Sequence, residues 1–485
     1  MPSGLSATMP ALTRKAAPAA ESALSKQAYW SLLVFVFFAT SRLLDFTLAG
    51  LHLPLIVSVY AASCAFISAG PFSAFATNVG KFMGLYTIWF VVSIPFSQWR
   101  GGSFQVLTSD LLKSFLLFVT VICTINSARR VRGIMLVFSL GTIVAMALAL
   151  YFNDRHTGGR LALPSGQLGN PNDLAQAMML GMFFLPVWAF GRERPNKLVL
   201  GLSYLVMLLF AYVIFATASR GVLLSVMMVA GIIFWRAGFV RKILLGSLFL
   251  SLIVGLLSIS DTARKRLTTL YSEDESTQVT NTLEERAESS TEARVLTLKQ
   301  SIVLTLQNPL FGVGPGNFES AAAAQRDAEG QRALWVETHN SYTQISSEIG
   351  IPGLLFFCCA IGFSLTGLFR IHRYGSEPLL IAVSRLLLVA FLGFLLTAMF
   401  SSTAYHFMFW FLIALCASCI AIRPEKLVFS PAAPAAAPVP FPPLPSAPSP
   451  PAFIKAPAQA TRVTLSGRIR PVRDRSVAPH KRPRG

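Results

Sequence analysis

Three of the 485 residues have types and settings that could do chemistry. His339 lies in Glu337-Thr338-His339-Asn340-Ser341-Tyr342, just before an apolar stretch, which places it at a membrane–water boundary. An imidazole there can take a proton from a hydroxyl near neutral pH; it can equally serve by binding a backbone carbonyl. Arg220 lies in Thr217-Ala218-Ser219-Arg220-Gly221, between two apolar blocks. Its guanidinium suits bidentate contact with phosphate oxygens, and the glycine beside it lets the backbone turn tightly towards a ligand. The plainer reading is a snorkelling arginine that anchors a helix end. Arg294 follows Ser290-Thr291-Glu292-Ala293, where Ser290 or Thr291 can cap a helix and Glu288 or Glu292 can form a weak surface pair with it.

Lesser candidates surround these. Asn172 with Asp173 reads first as the N-cap of the helix that follows, and second as a polar wall. Arg155 and Arg160 can guide an anion or stay solvated. Tyr405-His406 can line a site, and Glu348 can orient a histidine or satisfy a neighbouring loop. There is no metal-ligand spacing, no P-loop and no Ser/His/Asp order with a nucleophile's context, so neither metal nor cofactor is expected.

The elements that must position these groups are membrane helices. Hydrophobic residues make up 53% of the chain, charged ones only 13%, and Phe alone contributes 38. A soluble domain carries about 25% charged residues. The apolar residues fall in blocks of roughly 15–22, the length that crosses about 30 Å of hydrocarbon. A soluble enzyme and a nucleic-acid-binding domain are excluded as classes, despite the net charge of +19. From Arg423 onward, 11 Lys/Arg stand against Glu425 and Asp474, and most of the remaining excess lies in short loops. All six cysteines lie in apolar stretches, which gives no disulfide framework.

The expected fold is all-α and polytopic, with about twelve transmembrane helices near 28–46, 52–69, 82–97, 106–125, 133–152, 172–190, 198–217, 221–235, 243–259, 350–369, 379–400 and 406–422. Residues 1–27 read as a disordered cytoplasmic leader, 28–422 as the membrane domain and 423–485 as a disordered Pro/Arg-rich cytoplasmic tail. With the N-terminus inside, the cytoplasmic loops hold most of the Lys and Arg, as orientation requires. The short outer loops hold only Arg100, Arg155, Arg160 and Arg220, four exceptions that invite a functional question. Residues 260–349 form one large helical periplasmic loop, with helices over Glu284–Leu306 and Phe318–Arg332 separated by the turn at Gly312, Gly314, Pro315 and Gly316.

His339-Asn340 is followed by nine residues and then Gly350-Ile351-Pro352-Gly353. This H-N-x9-G-x-x-G string resembles the signature of the bacterial O-antigen ligase and Wzy polymerase superfamily. Three further segments match in order: Gln167-Leu168-Gly169-Asn170-Pro171-Asn172, Thr217-Ala218-Ser219-Arg220-Gly221, and the run from Asn308 to Phe318 preceded by Arg294. Each is weak alone; four in order on such a chain are specific. The resemblance spans roughly residues 30–422. It implies a metal-independent, inverting membrane glycosyltransferase whose donor is an undecaprenyl diphosphate-linked glycan. His339 would be the catalytic base, with Arg220 and Arg294 as diphosphate-binding residues on the periplasmic face of the inner membrane. The acceptor would be lipid A-core in a ligase, another glycan repeat in a polymerase, or a protein serine in an O-oligosaccharyltransferase. Ligation is the first choice and exopolysaccharide polymerisation the second.

Two rival classes are a twelve-span transporter and a scaffold that recruits partners through its tail. A transporter's related halves and mid-membrane polar groups are not evident. The tail from Pro424 carries 15 of the 29 prolines, which favours extended polyproline II beside anionic headgroups. Deleting residues 424–485 separates scaffold from enzyme: transfer activity in membranes is expected to persist at least in part, and its complete loss would favour the scaffold.

Overall fold

A computed structural model describes residues 22–47, 52–156, 159–189, 197–235, several between 238 and 250, 291–333 and 335–422. The first helices are α1 (Ala23–Ser41), α2 (Leu53–Ala69), α3 (Asn78–Ser93), α4 (Arg100–Thr124), α5 (Ala128–Phe152), α6 (Pro171–Phe184), α7 (Lys197–Ala216) and α8 (Arg220–Trp235). Then come α9 (Thr291–Gln307), α10 (Phe318–Ala328), α11 (Ser341–Tyr374), α12 (Pro378–Thr397) and α13 (Phe407–Ala421). A small hairpin of β1 (Asp154–His156) and β2 (Arg160–Ala162) joins α5 to α6.

The chain is an all-α polytopic membrane protein. Among the described residues, seven helices are long and apolar enough to cross a membrane, and α2, α8 and α13 are shorter apolar helices. Most of the expected span at 243–259, the leader up to residue 21, the first part of the large loop and the tail from 423 lie outside the described residues. Several boundaries differ from expectation. The first helix starts at Ala23, inside the stretch read as leader, because Ser22 caps it by accepting the Ser25 N–H at 3.1 Å. The span expected at 106–125 begins at Arg100 and passes through a π-turn at Leu107–Leu111. The helix expected at 350–369 begins nine residues earlier, at Ser341.

At the centre stands α13. Every residue from Met408 to Cys419 is buried, including Trp410, Phe409 and Phe411, so this helix is apolar all round. It packs against α4, α11 and α12. On the outside, Leu55, Ile67, Leu198 and Trp235 are exposed, the pattern of a surface that meets hydrocarbon rather than water.

One helix is interrupted, and the interruption organises the rest. In α11, Gly350 adopts φ 77° and ψ −179°, and Pro352 follows with no N–H to give. Three carbonyls before the break therefore lose their usual partners four residues on. The Ser347 carbonyl accepts the Val313 N–H at 2.8 Å and the Glu348 carbonyl accepts the Gly314 N–H at 2.9 Å. The Ile349 carbonyl accepts the Trp89 indole N–H at 3.0 Å. In return the Ile351 N–H reaches the Pro309 carbonyl at 2.8 Å. Each buried carbonyl left bare would cost about 1–3 kcal/mol, so the 308–316 loop is bound by the break itself. Close approach requires glycine on both sides: a Cβ at Gly350 would collide with the Leu310 carbonyl, and one at Gly312 with the Glu348 carbonyl.

Gly350→Ala is expected to cost about 2–4 kcal/mol, combining a left-handed alanine with that collision. Gly362→Ala, on the same helix with open space around it, should stay near wild type. Unfolding midpoints in detergent check both, and equal midpoints would contradict the proposed role of the break.

Candidate functional site

The residues singled out in the sequence come from the hairpin, α6, α8, α9, α11 with the segment before it, and the connection between α12 and α13. Arg220 opens α8 after a tight connection from α7, in which Ala218 takes φ 50°. A non-glycine residue in that region is uncommon and mildly strained. At Gly221 a Cβ would fall 2.6 Å from Phe400 Cβ, so the start of α8 lies hard against the connection between α12 and α13.

On the other flank, Asn170 caps α6 by accepting the Asn172 N–H at 2.8 Å, with Pro171 preset at the first helical position. This corrects the reading of Asn172 as the cap. Pro171 starts the helix one step earlier and leaves the Asn172 side chain for another task. Its Oδ1 accepts the Arg160 Nη2–H at 2.7 Å and the Ser219 hydroxyl at 3.0 Å. Arg160 also donates from Nε to the Thr217 carbonyl at 2.9 Å, tying the hairpin to the end of α7.

His339 precedes α11 with φ 51°. The segment is fastened to the α12–α13 connection: the His339 N–H donates to Ser402 Oγ at 3.0 Å and Thr338 Oγ1 lies 2.9 Å from the same hydroxyl. Ser341 N–H reaches the Ala398 carbonyl at 2.8 Å and Ser341 Oγ the Ser401 carbonyl at 2.7 Å. Asn340 Oδ1 caps α11 through the N–H groups of Tyr342 and Thr343. With the backbone fixed at both ends, the histidine has little freedom to turn away.

Arg160, Arg220 and Arg294 line one cleft of about 50 Å³, with Asn172, Gln176, Ser219 and Ser401. Its described lining carries three guanidinium groups and no carboxylate. That arrangement fits a multivalent anion and little else. Arg294 Nε is buried with no hydrogen-bond partner, as is Gln176 Oε1, while Gln176 Nε2 donates to Ser401 Oγ at 2.8 Å. Burial pulls the Arg294 pKa below its ordinary value, which a bound anion would restore.

The imidazole lies within reach of the Arg294 charge. Burial, and secondly that charge, lower the His339 pKa from 6.5 to about 4. Its Nε2 is buried and has no hydrogen-bond partner. The ring is therefore neutral at pH 7, with a nitrogen free to accept a proton.

Of the four arginines that break the loop-charge trend, Arg160 and Arg220 reach the cleft. Arg155 is instead exposed and bonded locally, its Nε 3.0 Å from Asn153 Oδ1. Glu348 does not orient the histidine through any hydrogen bond; its Oε2 accepts the Tyr405 O–H at 2.6 Å and the Gly316 N–H at 2.9 Å, serving the neighbouring loop. Nothing in the sequence points to Gln176 or Ser402, since a lone Gln in an apolar helix and a serine pair in a connection carry no pattern of their own.

These features define a class: a polytopic helical membrane protein with a cationic cleft beside a neutral histidine at the ends of its helices. Residues 205–358 match the family model described as O-antigen ligase, which bears out the resemblance to the O-antigen ligase and Wzy polymerase superfamily over a stretch that includes Arg220, Arg294, His339 and Gly350. Comparison with curated proteins found no match.

The histidine's environment sets an expectation for pH. An anion bound beside Arg294 offsets the charge that helps to depress His339, so the pKa should rise on binding. The acid limb of kcat/KM, which reads the free protein, is then expected near pH 4, and that of kcat at a higher pH. Coincident limbs would contradict this coupling.

Proposed function

We propose that the protein is a membrane glycosyltransferase that moves a glycan from undecaprenyl diphosphate to an acceptor hydroxyl, at the periplasmic face of the inner membrane. The observation that carries the reading is the buried, unpartnered Nε2 of His339 next to a cleft lined by three arginines. Arg220 and Arg294 bind the diphosphate oxygens, and Arg160, anchored on Asn172, adds a third positive group. His339 Nε2 takes the acceptor's hydroxyl proton as its oxygen attacks the anomeric carbon. The bond from that carbon to the phosphate oxygen breaks on the opposite side, and undecaprenyl diphosphate departs with the electron pair. Configuration inverts because the displacement is direct. The guanidinium groups stabilise the negative charge that grows on the leaving diphosphate, the place where electrostatic help counts most, and the reading calls for no metal.

Ligation to lipid A-core is the first assignment for the acceptor, and polymerisation of an exopolysaccharide or O-antigen the second. Both use the same cleft and base. Disruption of the gene separates them on gels: a ligase leaves long polymer on its lipid carrier and short lipopolysaccharide, while a polymerase leaves single repeats. For the site, His339→Ala and Arg220→Ala are each expected to lower transfer by about 10²–10⁴-fold, with the protein still present in the membrane. Near-normal transfer by purified His339→Ala would defeat the base assignment.

A further inference from the structure

A second cavity, of about 400 Å³, adjoins the histidine segment. Thr338 and Ser402, whose hydroxyl receives the His339 N–H, both line it. Ser401 lines the arginine cleft and Ser402 this cavity, so one short connection separates the two. Its volume falls in the range of about 300–1,000 Å³ usual for ligand sites.

The charge of the second cavity is opposite to that of the first. Asp110, Glu319 and Glu337 stand on its described wall against Lys113, with the buried Glu348 beside Tyr405. One buried group on the same wall also lacks a partner. Gln344 Oε1 is buried without a hydrogen bond. Glu348 is only 4% exposed, and its Oε2 is already taken by the Gly316 N–H and the Tyr405 hydroxyl. Buried acceptors without donors are rare in a finished fold and mark a place where a donor-bearing molecule belongs.

We propose that this cavity is the acceptor-glycan subsite, and that it selects a hydroxyl-rich sugar that is neutral or carries an amine, against one bearing phosphate or carboxylate. The proposal rests on the transfer reading of the adjoining cleft. Hydroxyl and ammonium groups donate to carboxylates and to Gln344 Oε1, whereas a phosphate placed beside Asp110, Glu319 and Glu337 is repelled. The two cavities thus sort the substrates by charge, with the diphosphate on the arginines and the acceptor on the carboxylates. His339 stands at the seam, where the acceptor's hydroxyl meets the anomeric carbon. The acceptor sugar that reacts is then an unphosphorylated one, whether it ends a lipid-borne core or a growing repeat.

The test uses the full-length chain in lipid nanodiscs and three probes: a glucosamine tetrasaccharide, its N-acetylated counterpart and its 6-O-phosphorylated form. Calorimetry is expected to find the phosphorylated probe at least tenfold weaker than the other two. Glu319→Gln combined with Glu337→Gln, both on accessible wall positions, should remove most of that gap. Equal or tighter binding of the phosphorylated probe would overturn the proposal, as would absence of binding by all three or a gap unchanged in the double variant. Binding of a fluorescent undecaprenyl diphosphate is measured on the same samples. Its absence alongside intact discrimination among the tetrasaccharides would defeat the transfer reading and sustain the charge selection; the converse would defeat this inference alone.

Discussion

The site depends on a broken helix whose exposed carbonyls must find donors. At Gly350 the backbone of α11 leaves the helical region, and Ser347, Glu348 and Ile349 lose their partners inside the helix. In the interior of a membrane protein no water replaces them. The loop from Asn308 to Gly316 supplies two of the donors and Trp89 the third. Loop and helix are fixed to each other because neither can satisfy its backbone alone.

The consequences are geometric. Bound at 309–314, the loop holds the end of α9 against α11, where Thr305 and Ser346 hydroxyls also meet at 2.9 Å. Arg294, three turns earlier on α9, is thereby brought to the cleft that Arg160 and Arg220 share. The same loop docks on the start of α4, through Ser103 Oγ to the Pro315 carbonyl at 2.9 Å, and on the turn after α3, through stacking of Phe311 on Phe96 at 4.0 Å. Meanwhile His339 and Ala218 hold left-handed conformations at the two connections that flank the cleft. Such conformations cost free energy and persist only where the surroundings over-determine them. Here the Ser402 and Ser341 hydrogen bonds hold one of them, and packing of Gly221 on Phe400 holds the start of the helix after the other.

Much of this is legible in the sequence, for physical reasons. Apolar blocks locate the seven helices long enough to cross a membrane, because hydrocarbon thickness dictates their length. The arginines placed against the charge trend include both that reach the cleft from short connections. Glycine at 312 and 350 marks backbone contact but not its partner, since a sequence names the residue that permits close approach and not the one that approaches. Asn172 reads as a cap for a similar reason: Asn170 and Asn172 both fit one, and only the fixed φ of Pro171 decides between them. The carboxylates of the second cavity come from α4, α10, α11 and the approach to His339, too far apart along the chain for any motif to gather them.

The proposed transfer turns on two arginines, from α8 and α9, holding a lipid-borne diphosphate beside His339. Equilibrium binding of undecaprenyl diphosphate and undecaprenyl monophosphate to the purified chain in nanodiscs tests this without any acceptor. The diphosphate is expected to bind at least tenfold more tightly, and Arg220→Ala and Arg294→Ala are each expected to erase the difference. Equal affinity for the two lipids, or a preference that survives both substitutions, would contradict it.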